Sequence, residues 1–153
     1  MSAVQDRESY MRQALELAKE AAAHGEVPVG CVIADARGAV IGRGRNRREE
    51  TRSALSHAEC EAIAEACRRR GDWRLEDCTL YVTLEPCPMC AGAILSARIG
   101  TVVYGARDEA MGSCGSVLNL FEERYGRHPA IYGGVLETEC AAVLTAFFEK
   151  LRG

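Results

Sequence analysis

The chain has 153 residues, 48% hydrophobic and 27% charged, with a formal net charge of −3. These are globular values that exclude a disordered chain, and no apolar run approaches the roughly 20 residues of a membrane-spanning helix. The acidic balance does not advertise nucleic-acid binding, yet every basic residue except Lys19 and Lys150 is arginine, which suits bidentate phosphate contacts.

The length is that of one domain, expected to cover residues 1–153. Met11, Ala14, Leu15, Ala18 and Ala22 fall at helical spacing, so Tyr10–Ala23 reads as an amphipathic helix that Gly25 stops. Val29–Ala34 is a short β-branched run after Pro28 and reads as a strand. Asp35-Ala36-Arg37-Gly38 is a turn, and Val40 and Ile41 begin the return strand of a hairpin. Arg43–Thr51 is polar and reads as a loop. Ser56 then caps a helix to about Arg70, with Ala62, Ile63, Ala66 and Cys67 on one face. Leu80–Leu84 reads as a strand buried on both faces, ended by Pro86 and Pro88. A helix follows over Pro88–Ala97, then strands at Val102–Tyr104 and Ala130–Tyr132. Cys140, Val143, Leu144, Phe147, Phe148 and Leu151 form the core-facing stripe of a last helix. The alternation implies an α/β layered fold with a mixed sheet.

Eight cysteines raise a choice between a disulfide framework and a metal site. Met1–Glu8 is polar and lacks the apolar core of a secretory signal, so the cytosol is expected and stable disulfides are not. Pro86-Cys87-Pro88-Met89-Cys90 places two thiols three residues apart at a helix start, where they can share a tetrahedral ion or act as a redox pair. No second C-x-x-C exists to close a structural site. His57-Ala58-Glu59 is available instead. One histidine and two cysteines leave a fourth position for water, as in catalytic zinc sites, with Glu59 beside it to move protons. Ser56-x-x-Glu59 also fits a capping box, in which Glu59 only bonds its own helix terminus. His24 and His128 read as surface residues. Cys31, Cys60, Cys67 and Cys140 read as small buried hydrophobes, and Cys78 and Cys114 as loop residues without a role.

H-x-E followed by P-C-x-x-C is the signature of zinc deaminases acting on nucleobases. The resemblance extends to Glu26-Val27-Pro28-Val29-Gly30, to Asn46, to Thr83 through Ala93 and to Gly105-Ala106-Arg107-Asp108. In that order these segments resemble the bacterial tRNA adenosine deaminases, from about Tyr10 to Leu151. The resemblance implies a three-layer α/β/α cytidine-deaminase-like fold with a five-stranded mixed sheet, a homodimer, and one Zn2+ per subunit on His57, Cys87 and Cys90. It implies hydrolysis of adenosine to inosine at the wobble position of a tRNA anticodon stem-loop, with Glu59 as proton shuttle. Asn46 and the amide of Ala58 would orient the base, Val27 and Val29 line its pocket, and Arg107, Asp108 and Phe148 approach the RNA. An anticodon loop suits such a site because its bases are already unpaired.

Asn46 alone could be an ordinary turn residue, and Arg107-Asp108 a solvated turn. Arg43, Arg45, Arg47, Arg48 and Arg52 are expected to form a basic rim, or else a solvated loop. The 122–134 segment lacks an Asn-His common among such enzymes, and Cys114 replaces a smaller residue. Three other readings remain open at this point. The chain could deaminate a free base such as guanine or cytosine, be an engineered nucleic-acid adenine deaminase, or be a zinc-dependent RNA-binding module without catalysis. The last requires a fourth protein ligand.

Overall fold

In the computed structural model, which describes residues 3–153, five strands form one mixed sheet in the order β2-β1-β3-β4-β5. The strands are β1 (Gly30–Ala34), β2 (Val40–Arg45), β3 (Thr79–Leu84), β4 (Thr101–Ala106) and β5 (Ala130–Tyr132). β1 runs antiparallel to β2 and β3, while β3, β4 and β5 are mutually parallel. The helices are α1 (Ala3–Ala23), α2 (Arg48–Thr51), α3 (Ala58–Arg70), α4 (Pro88–Ala97) and α5 (Glu137–Arg152).

The two-residue period of the strands builds the layers. Cys31, Ile33, Leu80, Val82, Val102 and Tyr104 share a core with Ala58, Ala62, Ala66, Ala91 and Ile94 of α3 and α4. Val32, Ala34, Tyr81, Val103 and Ala106 face the other way, onto Met11, Ala14 and Leu15 of α1 and Cys140 of α5. This is the three-layer α/β/α sandwich with a five-stranded sheet that the resemblance implied. Among the described residues no helix is long and apolar enough to cross a membrane.

The expected loop from Arg43 instead continues β2 to Arg45 and then makes the short helix α2. Gly42 and Gly44 are the reason. A Cβ on Gly42 would lie 2.3 Å from the Ala62 carbonyl oxygen, and one on Gly44 2.2 Å from that of Ala58. The missing side chains let α3 lie directly on β2, and that fixes where α3 begins. Gly44→Ala therefore overpacks backbone against backbone. A loss of about 1–3 kcal/mol is expected, seen as a lower denaturation midpoint; an unchanged midpoint would contradict this packing.

The expected stripe of α5 is only partly in the core. Cys140 is buried and Val143, Leu144 and Phe147 are half-buried, but Phe148 and Leu151 are exposed. The α5 residues that join the core on this face, Cys140, Ala141 and Val143, all lie in its first half.

Candidate active site and metal centre

The functional groups collect at one edge of the sheet. β2 ends there at Arg45, β1 begins at Gly30, and β3 and β4 end at Leu84 and Ala106. His57 is the N-terminal cap of α3 and Cys87 that of α4, so two helix starts meet. Helix N-termini favour thiolate over thiol.

His57 Nδ1 lies 3.6 Å from Cys87 Sγ and 3.5 Å from Cys90 Sγ. A tetrahedron with Zn–S of about 2.3 Å and Zn–N of about 2.05 Å has N···S edges of about 3.6 Å, so the donor triangle fits zinc in size and in ligand type. Among the described residues these three form the one cluster of this kind. Cys87 is held down at about 4 by hydrogen bonds from Cys90 and then from His57, against its burial. Cys90, bonded between Cys60 and Cys87 and buried, is pushed up. The same Cys87 contact raises His57.

Glu59 is 4% exposed. Burial raises its carboxyl to about 7. It is not a helix cap. The capping-box expectation fails because the cap is His57, and Ser56 Oγ bonds Thr51 Oγ1 at 2.6 Å instead. The side chain that serves the α3 terminus comes from the residue just after β2: Asn46 Oδ1 accepts the Ala58 N–H at 3.0 Å. Asn46 is thereby fixed, with its amide nitrogen left to donate. Ala58 contributes to the site through this bond and is itself buried.

A cavity of about 240 Å³ opens over these groups, lined by Val27, Val29, Asn46, Arg48, His57, Glu59, Leu84, Glu85, Cys87, Asp108 and Met111. Val27, Val29, Asn46 and Asp108 thus line one cavity with His57, Glu59 and Cys87. Its volume lies below the roughly 300–1,000 Å³ of drug-sized pockets and matches a single base better. Arg107 and Phe148 lie outside it. Arg107 borders a separate depression with Tyr104, Glu109 and Ser116, and Phe148 stands 43% exposed on α5. Asp108 Oδ1 accepts the N–H groups of Ala110 and Met111, both at 3.1 Å, so one carboxylate oxygen shapes its own loop.

The basic rim is smaller than the sequence suggests. Arg45, whose side chain is 12% exposed, pairs with Glu50 at 3.0 Å and approaches Glu20 at 3.7 Å. Arg47 pairs with the other Glu50 oxygen at 2.6 Å. Arg43, Arg48 and Arg52 are exposed, and their guanidinium groups form no ion pair among the described residues; of these Arg48 lines the cavity.

The other cysteines are all free. Cys31 and Cys140 are buried as expected, but Cys60 and Cys67 are half-buried, and Cys60 Sγ lies 3.9 Å from Cys90 Sγ. Cys78 and Cys114 are buried although outside the strands and helices. His24 and His128 are exposed. Sequence reasoning missed Leu84, Glu85 and Met111 as cavity walls. Glu85 carried a signal, a lone charge between Leu84 and Pro86 at the end of an apolar strand.

Residues 4–106 match the family model of the cytidine and deoxycytidylate deaminase zinc-binding region. The chain is 49% identical over 146 residues to the tRNA-specific adenosine deaminase of Bacillus subtilis, covering 95% of this chain and 90% of that protein. A solved structure from a study of A-to-I editing by tRNA:A34 deaminases at the wobble position of transfer RNA superposes with a TM-score of 0.85 at 42% identity, covering 89% of this chain and 99% of that one. The guanine deaminase of Nitrosomonas europaea, at 24% identity and a TM-score of 0.81 over 92% of this chain and 83% of that one, shares the fold. With its His57-Cys87-Cys90 triangle intact and the match running nearly end to end, the chain belongs to the zinc-binding cytidine and deoxycytidylate deaminase family, among the tRNA-specific adenosine deaminases.

Proposed function

We propose that the protein hydrolyses adenosine to inosine at the wobble position of a tRNA anticodon, with residues 1–153 acting as one zinc-dependent deaminase domain. The observation that carries this reading is the buried Glu59 carboxylate beside a three-ligand zinc triangle, facing a base-sized cavity. The balance is adenosine plus water giving inosine plus ammonia.

His57, Cys87 and Cys90 would hold zinc, which would lower the pKa of the attacking water toward neutrality. Glu59 accepts one proton of the attacking water and delivers it to the ring nitrogen, then takes the second from the hydroxyl of the adduct and passes it to the leaving amine, which departs as ammonia. A carboxylate raised by burial can act in both directions near neutral pH. Val27, Val29 and Leu84 are apolar walls for the base. Asn46, with its oxygen engaged by Ala58, donates from its amide nitrogen to an acceptor on the base edge. Asp108 frames the mouth, while Arg107 and Phe148 serve the RNA beyond the flipped nucleotide.

A tRNA substrate and thiolate ligands both fit the reducing cytoplasm. The partners are an anticodon stem-loop and a second copy of the chain in a homodimer. The test compares purified zinc-loaded protein on an anticodon stem-loop carrying wobble adenosine with free adenosine, guanine and cytosine. Turnover confined to the hairpin supports the reading; turnover of a free base with none of the hairpin overturns it.

The arginines give a separate prediction. Removing Arg48 should weaken binding of the hairpin and reduce the slope of log K against log salt by about 0.7, the loss of one single-strand phosphate contact. Arg45→Ala or Arg47→Ala, which opens the Glu50 pair, should leave that slope unchanged. Fluorescence anisotropy over a salt series measures both, and equal slope changes for all three variants would contradict the assignment.

A further inference from the structure

Two further carboxylates are buried at the cavity, each 2% exposed: Glu85 lines it and Glu26 lies outside its lining. Glu26 stands in the connection between α1 and β1. Its Oε1 accepts the N–H of Glu49 at 3.1 Å and its Oε2 that of Glu50 at 2.8 Å. These amides belong to α2, the segment that brings Arg48 to the cavity. Glu85 follows β3. Its Oε1 accepts the N–H of Asp108 at 3.1 Å and the Ser116 hydroxyl. Its Oε2 accepts the N–H groups of Cys114 at 2.8 Å and Ser116 at 3.2 Å. The 108–116 loop wraps this carboxylate so closely that a Cβ on Gly112 would fall 2.3 Å from Glu85 Cδ. That loop brings Asp108 and Met111 to the cavity.

Burying a carboxylate is unfavourable unless several donors meet it, and charge-assisted bonds to amides are the strong kind. Here both oxygens of both groups are engaged, and every partner lies in α2 or in the 108–116 loop, two of the segments that line the cavity. Neither glutamate bonds the metal triad or Glu59. We propose that Glu26 and Glu85 are positioning residues that hold the α2 and 108–116 walls in the shape that accepts the flipped base, so that they set substrate affinity and not the chemical step. This rests on the deaminase reading of the same cavity. Preorganised walls need no ordering when the nucleotide arrives, and that saving appears in KM.

The test uses full-length, zinc-loaded Glu26→Gln and Glu85→Gln proteins, with kinetics on an anticodon hairpin and amide hydrogen exchange without substrate. Each variant should raise KM roughly tenfold or more, with kcat within about threefold and zinc content unchanged. Exchange should accelerate only in residues 48–51 for Glu26→Gln and only in 108–116 for Glu85→Gln. A fall in kcat at unchanged KM, unchanged kinetics, or acceleration throughout the sheet overturns the proposal. If Glu85→Gln does not fold, its half is overturned, and Glu26→Gln, whose partners are confined to α2, decides the other. Because exchange is read without substrate, a wild type that ignores the hairpin refutes the proposed reaction separately from the anchoring.

Discussion

Glu59→Ala is expected to lower turnover by about 10²–10⁴-fold, the span typical of a positioned general acid–base group, while zinc stays bound. The carboxylate lies two residues from His57 in sequence yet is not one of the clustered ligands, so its removal leaves the His57, Cys87 and Cys90 donors intact. It is buried and raised to about 7, which suits a group that must take a proton and give it back. Glu59→Gln separates chemistry from packing. The amide keeps the volume but cannot shuttle protons, so it should lose as much as Ala. Metal analysis beside steady-state kinetics measures both. Substantial activity in either variant would mean that protons move through another group.

The second large effect concerns the metal. Cys87→Ala or Cys90→Ala should abolish zinc binding and turnover together, because two ligands cannot complete a tetrahedral site. Chelation of the intact protein should do the same, and added zinc should restore activity. The informative control is Cys60→Ala. Its thiol lies 3.9 Å from Cys90 Sγ, yet it is not part of the donor cluster. This variant should keep both zinc and turnover. Loss of zinc would make Cys60 a fourth protein ligand and close the position that water needs. That result would favour a structural zinc module over a hydrolase.

Much of this site could be read from the sequence because its chemistry is short-range. His57-x-Glu59 and Cys87-x-x-Cys90 each occupy the start of one helix, and one turn of helix fixes their geometry. The strands around them followed from apolar runs whose two faces are both covered. What the pattern hid depends on distant backbone. Gly44 falls in the expected Arg43–Thr51 loop because nothing local shows that α3 rests on it and on Gly42. The Ser56 cap failed because Asn46, on another element, reaches the Ala58 amide first. Arg45 and Arg47 read as part of a basic rim in the sequence, but Glu50, between them in space, pairs with both. Glu26 and Glu85 have no spacing signature, since their partners, main-chain amides and the Ser116 hydroxyl, lie on segments more than twenty residues away.

The most direct test of the account is the mass of a wobble-adenosine anticodon fragment before and after incubation with the zinc-loaded protein. Exchange of an amine for an oxo group adds about one mass unit, at a single nucleotide. The account predicts that gain at the wobble position alone, and none with Glu59→Ala. An unchanged fragment, or the same gain with Glu59→Ala, would contradict it.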